Sequence, residues 1–433
     1  MKESIDTDWI KEARFGLFIH WGLYSVPARQ IGKDSTAEWV KSKERLSDEE
    51  YEAYFAHFDP DLYDPVAWAR QARAAGMRYF VVTTKHHEGF CLWDSQLTDY
   101  KATNTPAGRD LLGPMVEAFR AEGLRVGFYY SLLDWHHPDF PIDGFHPQRD
   151  DEEFKRTNSQ RDIAKYRHYL QGQVRELLTE YGKIDYLFFD FSYPPDRHPE
   201  IWGGKGRDDW GSEELLAMVR QLQPGIVVND RLELLGDVTT PEQYQPAGAM
   251  RLQGSQRVWE ANQTLNGSFG YDRDNLDWKP PELLVKMLVD GVSKDGNLLL
   301  NVGPTARGEF DDRAVATLRR IGRWMYHHGR SVYGCGPAPF VAPPDCRYTM
   351  NGKHLFLHMF SWPFGHLHLP GLAERVEFAR FLHDGSEIQR EVIDSEKPAF
   401  NTTLGGQAPG TLTLRLPVHR PEVEVPVIEL LLR

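Results

Sequence analysis

The chain of 433 residues carries 63 acidic and 50 basic side chains, a formal net charge of −13, with 41% hydrophobic and 12% aromatic residues. That composition supplies a large buried core and excludes general disorder, while the acid excess, without any basic tract, argues against nucleic-acid or anionic-membrane partners. No apolar run approaches the about 20 residues of a membrane span, the opening Met1-Lys2-Glu3-Ser4-Ile5-Asp6 lacks the order of a secretory leader, and Cys91, Cys335 and Cys346 form no CxxC. The expectation is a cytoplasmic protein with neither a disulfide framework nor a thiolate zinc site, although a processed secreted form would read the same.

Apolar runs rich in β-branched and aromatic residues lie at 15–20, 77–84, 124–130, 184–191, 226–229, 257–260 and 297–302. They alternate with amphipathic stretches at 65–75, 111–121, 163–181, 213–222 and 281–292, the rhythm of repeated βα units. Asp64-Pro65 and Lys279-Pro280-Pro281 stand where helices start, and Gly76, Gly123 and Gly182 where helices stop. The chain turns polar at nearly every proposed strand end: His20-Trp21-Gly22, Lys85-His86-His87-Glu88, Tyr129-Tyr130-Ser131, Asp190, Asn229-Asp230-Arg231 and Trp259-Glu260. In a (β/α)8 barrel those ends converge on one mouth, where the chemistry is placed, whereas an open doubly wound sheet concentrates polar ends at one switch point.

The pattern therefore predicts an α/β protein with a (β/α)8-like TIM barrel over residues 1–335. The irregular, His-, Asp- and Pro-rich stretch 134–161 is expected to form a loop over the mouth. Gly203-Gly204-Lys205-Gly206 follows no strand and reads as a flexible turn rather than a nucleotide cradle. From residue 336 to 433 the texture changes to alternating segments at 354–360, 366–369, 376–378, 411–416 and 425–432, which predict a small antiparallel β-sandwich domain.

Asp190 ends an apolar run, so its carboxylate projects at the mouth as a nucleophile would, or caps the following turn; Asp185, at the strand's start, fits only a structural role. Glu242 lies in a loop that can reach over a substrate, with no claim of its own over Glu38, Glu88 or Glu260. Several carboxylates at one mouth suit glycoside cleavage, in which one attacks the anomeric carbon and another protonates the leaving oxygen. Arg231 is positioned to hold one carboxylate ionised while an apolar site keeps the other protonated. His86 and His87 are adjacent, and strand alternation would point them to opposite faces, so they suit donation to sugar hydroxyls better than a shared metal; His20 joins them. His366 and His368 have chelating spacing without a carboxylate partner. Trp21, Trp39, Trp93, Tyr129, Trp135, Trp259 and Phe269 crowd the same strand ends, where rings can stack on sugar faces, though Trp93 and Trp259 suit core packing. GxSxG, Walker and HExxH motifs are absent.

Taken in order, Phe15-Gly16-Leu17-Phe18-Ile19-His20-Trp21-Gly22, Ala37-Glu38-Trp39, Thr84-Lys85-His86-His87-Glu88-Gly89-Phe90, Phe128-Tyr129-Tyr130-Ser131, Val228-Asn229-Asp230-Arg231 and Asn297-Leu298-Leu299-Leu300-Asn301-Val302-Gly303-Pro304 resemble the α-L-fucosidases of glycoside hydrolase family 29. The resemblance implies Asp190 as nucleophile and Glu242 as acid/base. It implies that His20, Glu38, Trp39, His86, His87, Tyr129 and Arg231 bind fucose, with Phe269 against the sugar's methyl group. Phe188-Phe189-Asp190 departs from the Trp that many relatives carry there. The implied reaction is retaining hydrolysis of terminal α-L-fucosyl residues from a fucosylated glycan, without metal or cofactor. An α1,3/1,4-restricted fucosidase, an α-galactosidase-like enzyme and a silent fucose-binding protein are the alternatives, and homo-oligomerisation is left open.

Overall fold

The computed structural model describes residues 5–29, 36–252 and 254–433; the first four residues of the opening stretch lie outside them. Eight parallel strands, β1 (Phe15–Ile19), β2 (Tyr79–Lys85), β3 (Arg125–Ser131), β4 (Tyr186–Asp190), β5 (Val227–Val228), β6 (Val238–Thr239), β7 (Val258–Thr264) and β8 (Gly296–Val302), pair in the order β5-β4-β3-β2-β1-β8-β7-β6. The edges meet where Asn229 bridges Val238 and the Asp237 N–H donates to the Val228 carbonyl at 2.8 Å, so the sheet is a nearly closed barrel.

Alternation along each strand makes two cores. Phe15, Leu17 and Ile19 of β1 face outward into a layer shared with the helices, while Phe18 points inward with Tyr79, Val81, Tyr129, Tyr186, Phe188 and Leu299. Gly16 shares the inward face, and a Cβ there would lie 2.4 Å from the Tyr79 ring, so glycine makes room for that tyrosine to fill the floor. Helix α1 (Asp8–Ala13) plugs the floor with Ile10 and Ala13. The outer helices are α2 (Pro65–Ala74), α3 (Leu112–Ala121), α4 (Ile163–Glu180), α5 (Ser212–Leu222), α6 (Pro281–Val292) and α7 (Asp312–His328). Their starts follow local chemistry: Asp64 and Asp162 accept N–H bonds from Ala67 and Ala164 at 3.0 and 2.9 Å, and proline occupies the first turns of α2 and α6.

The βα rhythm breaks twice. Among the described residues no helix separates β5 from β6 or β6 from β7, and a groove lined by Leu216, Arg220, Leu235 and Arg257 opens outside the barrel there. Strand β6 is two residues long and carries no apolar run for a sequence pattern to find. Two expected strand ends also move. β7 continues to Thr264, so Glu260 lies near its start, inside the barrel floor, and not at the mouth. β4 stops at Asp190, because Phe191 adopts a left-handed φ of 78°.

After a helical turn at Gly329–Ser331, strands β9 (Cys346–Asn351), β10 (His354–Met359), β11 (His366–Leu369), β12 (Val376–Phe381), β13 (Arg390–Val392), β14 (Leu412–Arg415) and β15 (Val427–Leu432) form two antiparallel sheets, β9-β10-β15-β12 and β11-β14-β13. Leu355, Leu357, Leu369, Leu412, Leu414 and Ile428 fill the core between them. This is the expected sandwich. Trp324 of α7 donates to the Val425 carbonyl at 2.8 Å, tying it to the barrel's helical layer.

Candidate active site

The carboxyl ends of the strands enclose a small pocket lined by Phe18, His20, Glu38, Trp39, His86, His87, Tyr129, Phe188, Asp190, Phe191, Glu242, Asn262 and Phe269. Of the ten residues that the family resemblance assigns to the site, only Arg231 is outside that lining, and it is bonded to two members of it. Its Nη1 donates to Asp190 Oδ1 and its Nη2 to Glu242 Oε2, both at 3.0 Å. Bonds from Nε to Thr240 Oγ1 (3.1 Å) and from Nη2 to the Thr240 carbonyl (3.0 Å) fix the guanidinium plane. The expected division, with Arg231 serving one carboxylate alone, is therefore replaced by one cation bridging both, because β5 and the loop after β6 deliver Arg231 and Glu242 to the same side of Asp190.

Asp190 is the last residue of β4 and nearly buried. Its Oδ2 accepts the Tyr129 hydroxyl at 2.8 Å, and His87 Nε2 stands 3.9 Å away. Burial pushes its pKa up to about 6, with the Arg231 charge pulling down and the Glu242 charge pushing up. Protonation of Glu242 removes that like-charge repulsion and favours the anionic Asp190 that an attack requires. Glu242 is the more exposed of the two, at 42%. Its backbone is not adrift: Gln243 N–H donates to the Asn262 carbonyl and Asn262 N–H to the Pro241 carbonyl, both at 2.9 Å, stitching the loop to β7.

His20 and His87 present acceptors to the pocket and not the expected donors. Asn301 donates its amide to the Phe269 carbonyl at 2.7 Å, which turns Oδ1 toward His20 Nδ1, also at 2.7 Å. His20 Nδ1 must then carry the proton and Nε2 presents a lone pair. Ser131 likewise donates to the Leu133 carbonyl (2.9 Å) and accepts His87 Nδ1–H at 2.7 Å, leaving His87 Nε2 as an acceptor. Burial lowers the pKa of His20 to about 3 and depresses His86 and His87, so all three are neutral at physiological pH. The alternation expected for His86 and His87 does not apply, since β2 ends at Lys85 and the chain turns through Gly89; both rings line the pocket, 4.0 Å apart.

Glu38 is buried, accepts the Gly270 N–H at 2.7 Å and the Thr36 hydroxyl, and is raised to about 7 by burial. It thereby joins the Trp39 segment to the Phe269 segment, and the Phe269 ring packs 4.7 Å from His20. Trp39 stands against Trp135 and Phe145, both contributed by the loop expected over the mouth. The remaining candidates are structural. Glu88 accepts the Leu23 N–H at 3.0 Å and the Tyr51 hydroxyl, Glu260 accepts the Tyr79 hydroxyl, and Asp185 pairs with Arg125 at 2.9 Å. Trp21 packs on Phe58, Tyr63 and Trp68 outside the pocket, and Trp93 and Trp259 are core residues. Among the described residues no group of three His, Cys, Asp or Glu side chains could hold a metal, and His368 is bonded to Thr413.

Four lining residues escaped the sequence reading. Phe18 and Phe188 lie two positions before His20 and Asp190, so period-two alternation could have placed them on the same face. Asn262 needed the true extent of β7, and nothing in the sequence signals the turned-in Phe191.

A family model described as Alpha-L-fucosidase matches residues 2–330. The chain is 30% identical to human plasma α-L-fucosidase, over 83% of this chain and 78% of that relative. Its fold superposes on α-L-fucosidase isoenzyme 1 from Paenibacillus thiaminolyticus with a TM-score of 0.89 and 45% identity, covering 98% of each chain. It also superposes on a trapped covalent intermediate of a family 29 α-L-fucosidase from Bacteroides thetaiotaomicron with a TM-score of 0.82 and 28% identity, covering 98% of this chain and 95% of that one. With the barrel mouth, the paired carboxylates and these likenesses together, the chain belongs to the α-L-fucosidase family of glycoside hydrolases.

Proposed function

We propose that this protein is a retaining exo-α-L-fucosidase that removes terminal α-L-fucosyl residues from glycoconjugates or oligosaccharides, with Asp190 as nucleophile and Glu242 as acid/base. The observation that carries the reading is the Arg231 guanidinium, which holds both carboxylates at 3.0 Å at the pocket lined by His20, His87 and Phe269. The Asp190 carboxylate attacks C1 as the C1–O bond breaks, and Glu242 gives its proton to the departing oxygen. The resulting fucosyl-aspartate ester is opened by water at C1 while Glu242 takes the water's proton, which regenerates Asp190 and retains the anomeric configuration. The trapped intermediate of the Bacteroides relative supports this course.

The neutral His20 and His87 accept hydroxyl protons of the sugar at Nε2, and His86, Glu38, Trp39 and Tyr129 complete its enclosure. Phe18, Phe188 and Phe269 offer an apolar wall to the C6 methyl that distinguishes a 6-deoxy sugar. Broad acceptance of leaving groups, aryl fucosides included, is our reading over α1,3/1,4 restriction; the 42% exposure of Glu242 supports it, since the proton donor is open to varied aglycones. We place the catalytic unit at residues 1–335 and the β unit at 336–433, supported by the separate core of the sandwich. The test is release of p-nitrophenol from p-nitrophenyl α-L-fucopyranoside by the wild type, its collapse in Asp190→Gly, and recovery of a fucosyl azide when azide is added to that variant. A wild type that binds fucose but releases nothing from either the aryl fucoside or fucosylated oligosaccharides would overturn the reading.

A further inference from the structure

Successive residues of an extended strand face opposite sides, yet Asp190 and Phe191 both line the pocket. The backbone makes this happen. β4 ends at Asp190, and Phe191 has φ 78°, in the left-handed region that an aromatic residue occupies only at a cost in backbone energy. The turn brings the Phe191 ring back over the mouth, where four rings hold it: Trp39 at 5.2 Å, His87 at 5.0 Å, Phe145 at 5.0 Å and Tyr193 at 5.5 Å between centroids. Three of these contacts are edge-on, with interplanar angles of 68° (His87), 88° (Phe145) and 64° (Tyr193), the arrangement aromatic pairs favour.

The cage is itself anchored. The Tyr193 hydroxyl donates to Asp143 Oδ2 at 2.6 Å, and the same oxygen takes Lys205 Nζ at 2.6 Å in a buried ion pair that ties the 134–161 loop to the segment after β4. Ser192 donates to the Arg231 carbonyl at 2.9 Å and accepts Trp210 Nε1 at 2.9 Å. On the strand side, Leu132 N–H holds the Asp190 carbonyl at 3.0 Å. Between these two anchorages, the Asp190 carboxylate meets the Tyr129 hydroxyl at 2.8 Å and Arg231 Nη1 at 3.0 Å.

We propose that Phe191 is a positioning residue for the nucleophile: its aromatic cage clamps the left-handed turn that ends β4 and so keeps the Asp190 carboxylate aimed into the pocket, against Tyr129 and Arg231. The inference rests on Asp190 being the nucleophile. Glycine would enter the same turn without cost but could not be clamped, whereas alanine would lose the clamp and still oppose the turn.

The test compares kcat/KM and its acid limb on p-nitrophenyl α-L-fucopyranoside for Phe191→Gly and Phe191→Ala. A displaced nucleophile predicts a loss of about 30- to 100-fold for the alanine variant, with the acid limb moved upward, and a loss several-fold smaller for glycine. Equal losses with the acid limb in place, or a larger loss for glycine, would mean that the ring is only a wall, and would overturn the proposal. If the alanine variant fails to fold, Phe191→Asn and Phe191→Leu give the same contrast, since asparagine tolerates the left-handed region and leucine does not. Asp190→Gly with azide is run beside them. Fucosyl azide formation with a flat Phe191 series defeats the positioning proposal alone, whereas no rescue defeats the nucleophile assignment and this proposal with it.

Discussion

The barrel interior holds two buried carboxyl–tyrosine pairs, one at each end, and they are chemically unlike. At the mouth, Asp190 accepts the Tyr129 hydroxyl and is bonded to Arg231. At the floor, Glu260 accepts the Tyr79 hydroxyl, and the groups acting on it are tyrosines alone. Burial raises both, Asp190 to about 6 and Glu260 to about 7. The difference lies in the cation and in access: Arg231 offsets part of the burial at the mouth, and the pocket opens on Asp190, whereas α1 and the Tyr79 layer seal Glu260 from any substrate. Burial and a tyrosine donor are common to both; the counter-charge and the open face that the proposed nucleophile requires belong to Asp190 alone of the two.

Swapping each carboxyl for its amide is the most severe way to break that comparison. Asp190→Asn should lower kcat on an aryl fucoside by about 10⁴-fold or more, while Glu260→Gln should leave kcat/KM within about threefold, because it touches no reacting atom. Steady-state kinetics of the two purified variants decides it, and a comparable loss in both would abolish the distinction. Next in size is Glu242→Gln, for which hydrolysis of a fucosylated oligosaccharide should fall by about 10²- to 10⁴-fold. The loss should shrink on a dinitrophenyl fucoside, whose leaving group needs no proton; equal losses on both substrates would remove Glu242 from the acid role.

Stability sharpens the same contrast. The folded-state pKa of Asp190, about 6, lies above its ordinary 3.8, so the native state binds this proton more tightly than the unfolded chain. Stability contributed by this group therefore falls as pH rises from about 4 to about 6 and stays lowered above that. Asp190→Asn should be more stable than the wild type at pH 8, by up to about 3 kcal/mol, with the advantage gone below pH 4. Denaturant unfolding at the two pH values measures it, and a variant that is less stable at pH 8 would contradict the assigned shift. With Asp190 as the proposed nucleophile, the same ionisation should set the acid limb of kcat/KM near pH 6, with activity lost as pH falls. The smallest effect concerns the methyl wall: Phe269→Ser should narrow the preference for α-L-fucoside over α-L-galactoside by about tenfold, and unchanged selectivity would assign the methyl group to Phe18 and Phe188 instead.

Much of this molecule is legible in its residues. The predicted helices at 65–75, 111–121, 163–181, 213–222 and 281–292 each agree with an observed helix to within a residue at either end, because amphipathic periodicity, Asp64 and Asp162 caps and the flanking prolines and glycines are local signals. The polar strand ends located the mouth, and nine of the ten residues named for the site line the pocket, with Arg231 bonded to two of them. What escaped has a common cause. Strand β6 is two residues held by neighbours on both sides, β7 outruns its apolar stretch, and Phe191 leaves the strand pattern through a backbone turn packed against rings from other elements.

Residue identity and short-range order thus determined the βα rhythm, the sandwich that follows it and the set of carboxylates, histidines and aromatics available for chemistry. Tertiary structure alone decided which carboxylate is which. Glu88, Glu242 and Glu260 are indistinguishable as sequence symbols, and their fates separate only when folding puts one against Tyr51, one on Arg231 and one in the sealed floor. It also decided the protonation of His20 and His87, since each tautomer is set by a partner, Asn301 or Ser131, brought in by a different strand. The physical reason is the same throughout: local conformation depends on neighbours in the chain, but charge state and hydrogen-bond polarity depend on neighbours in space.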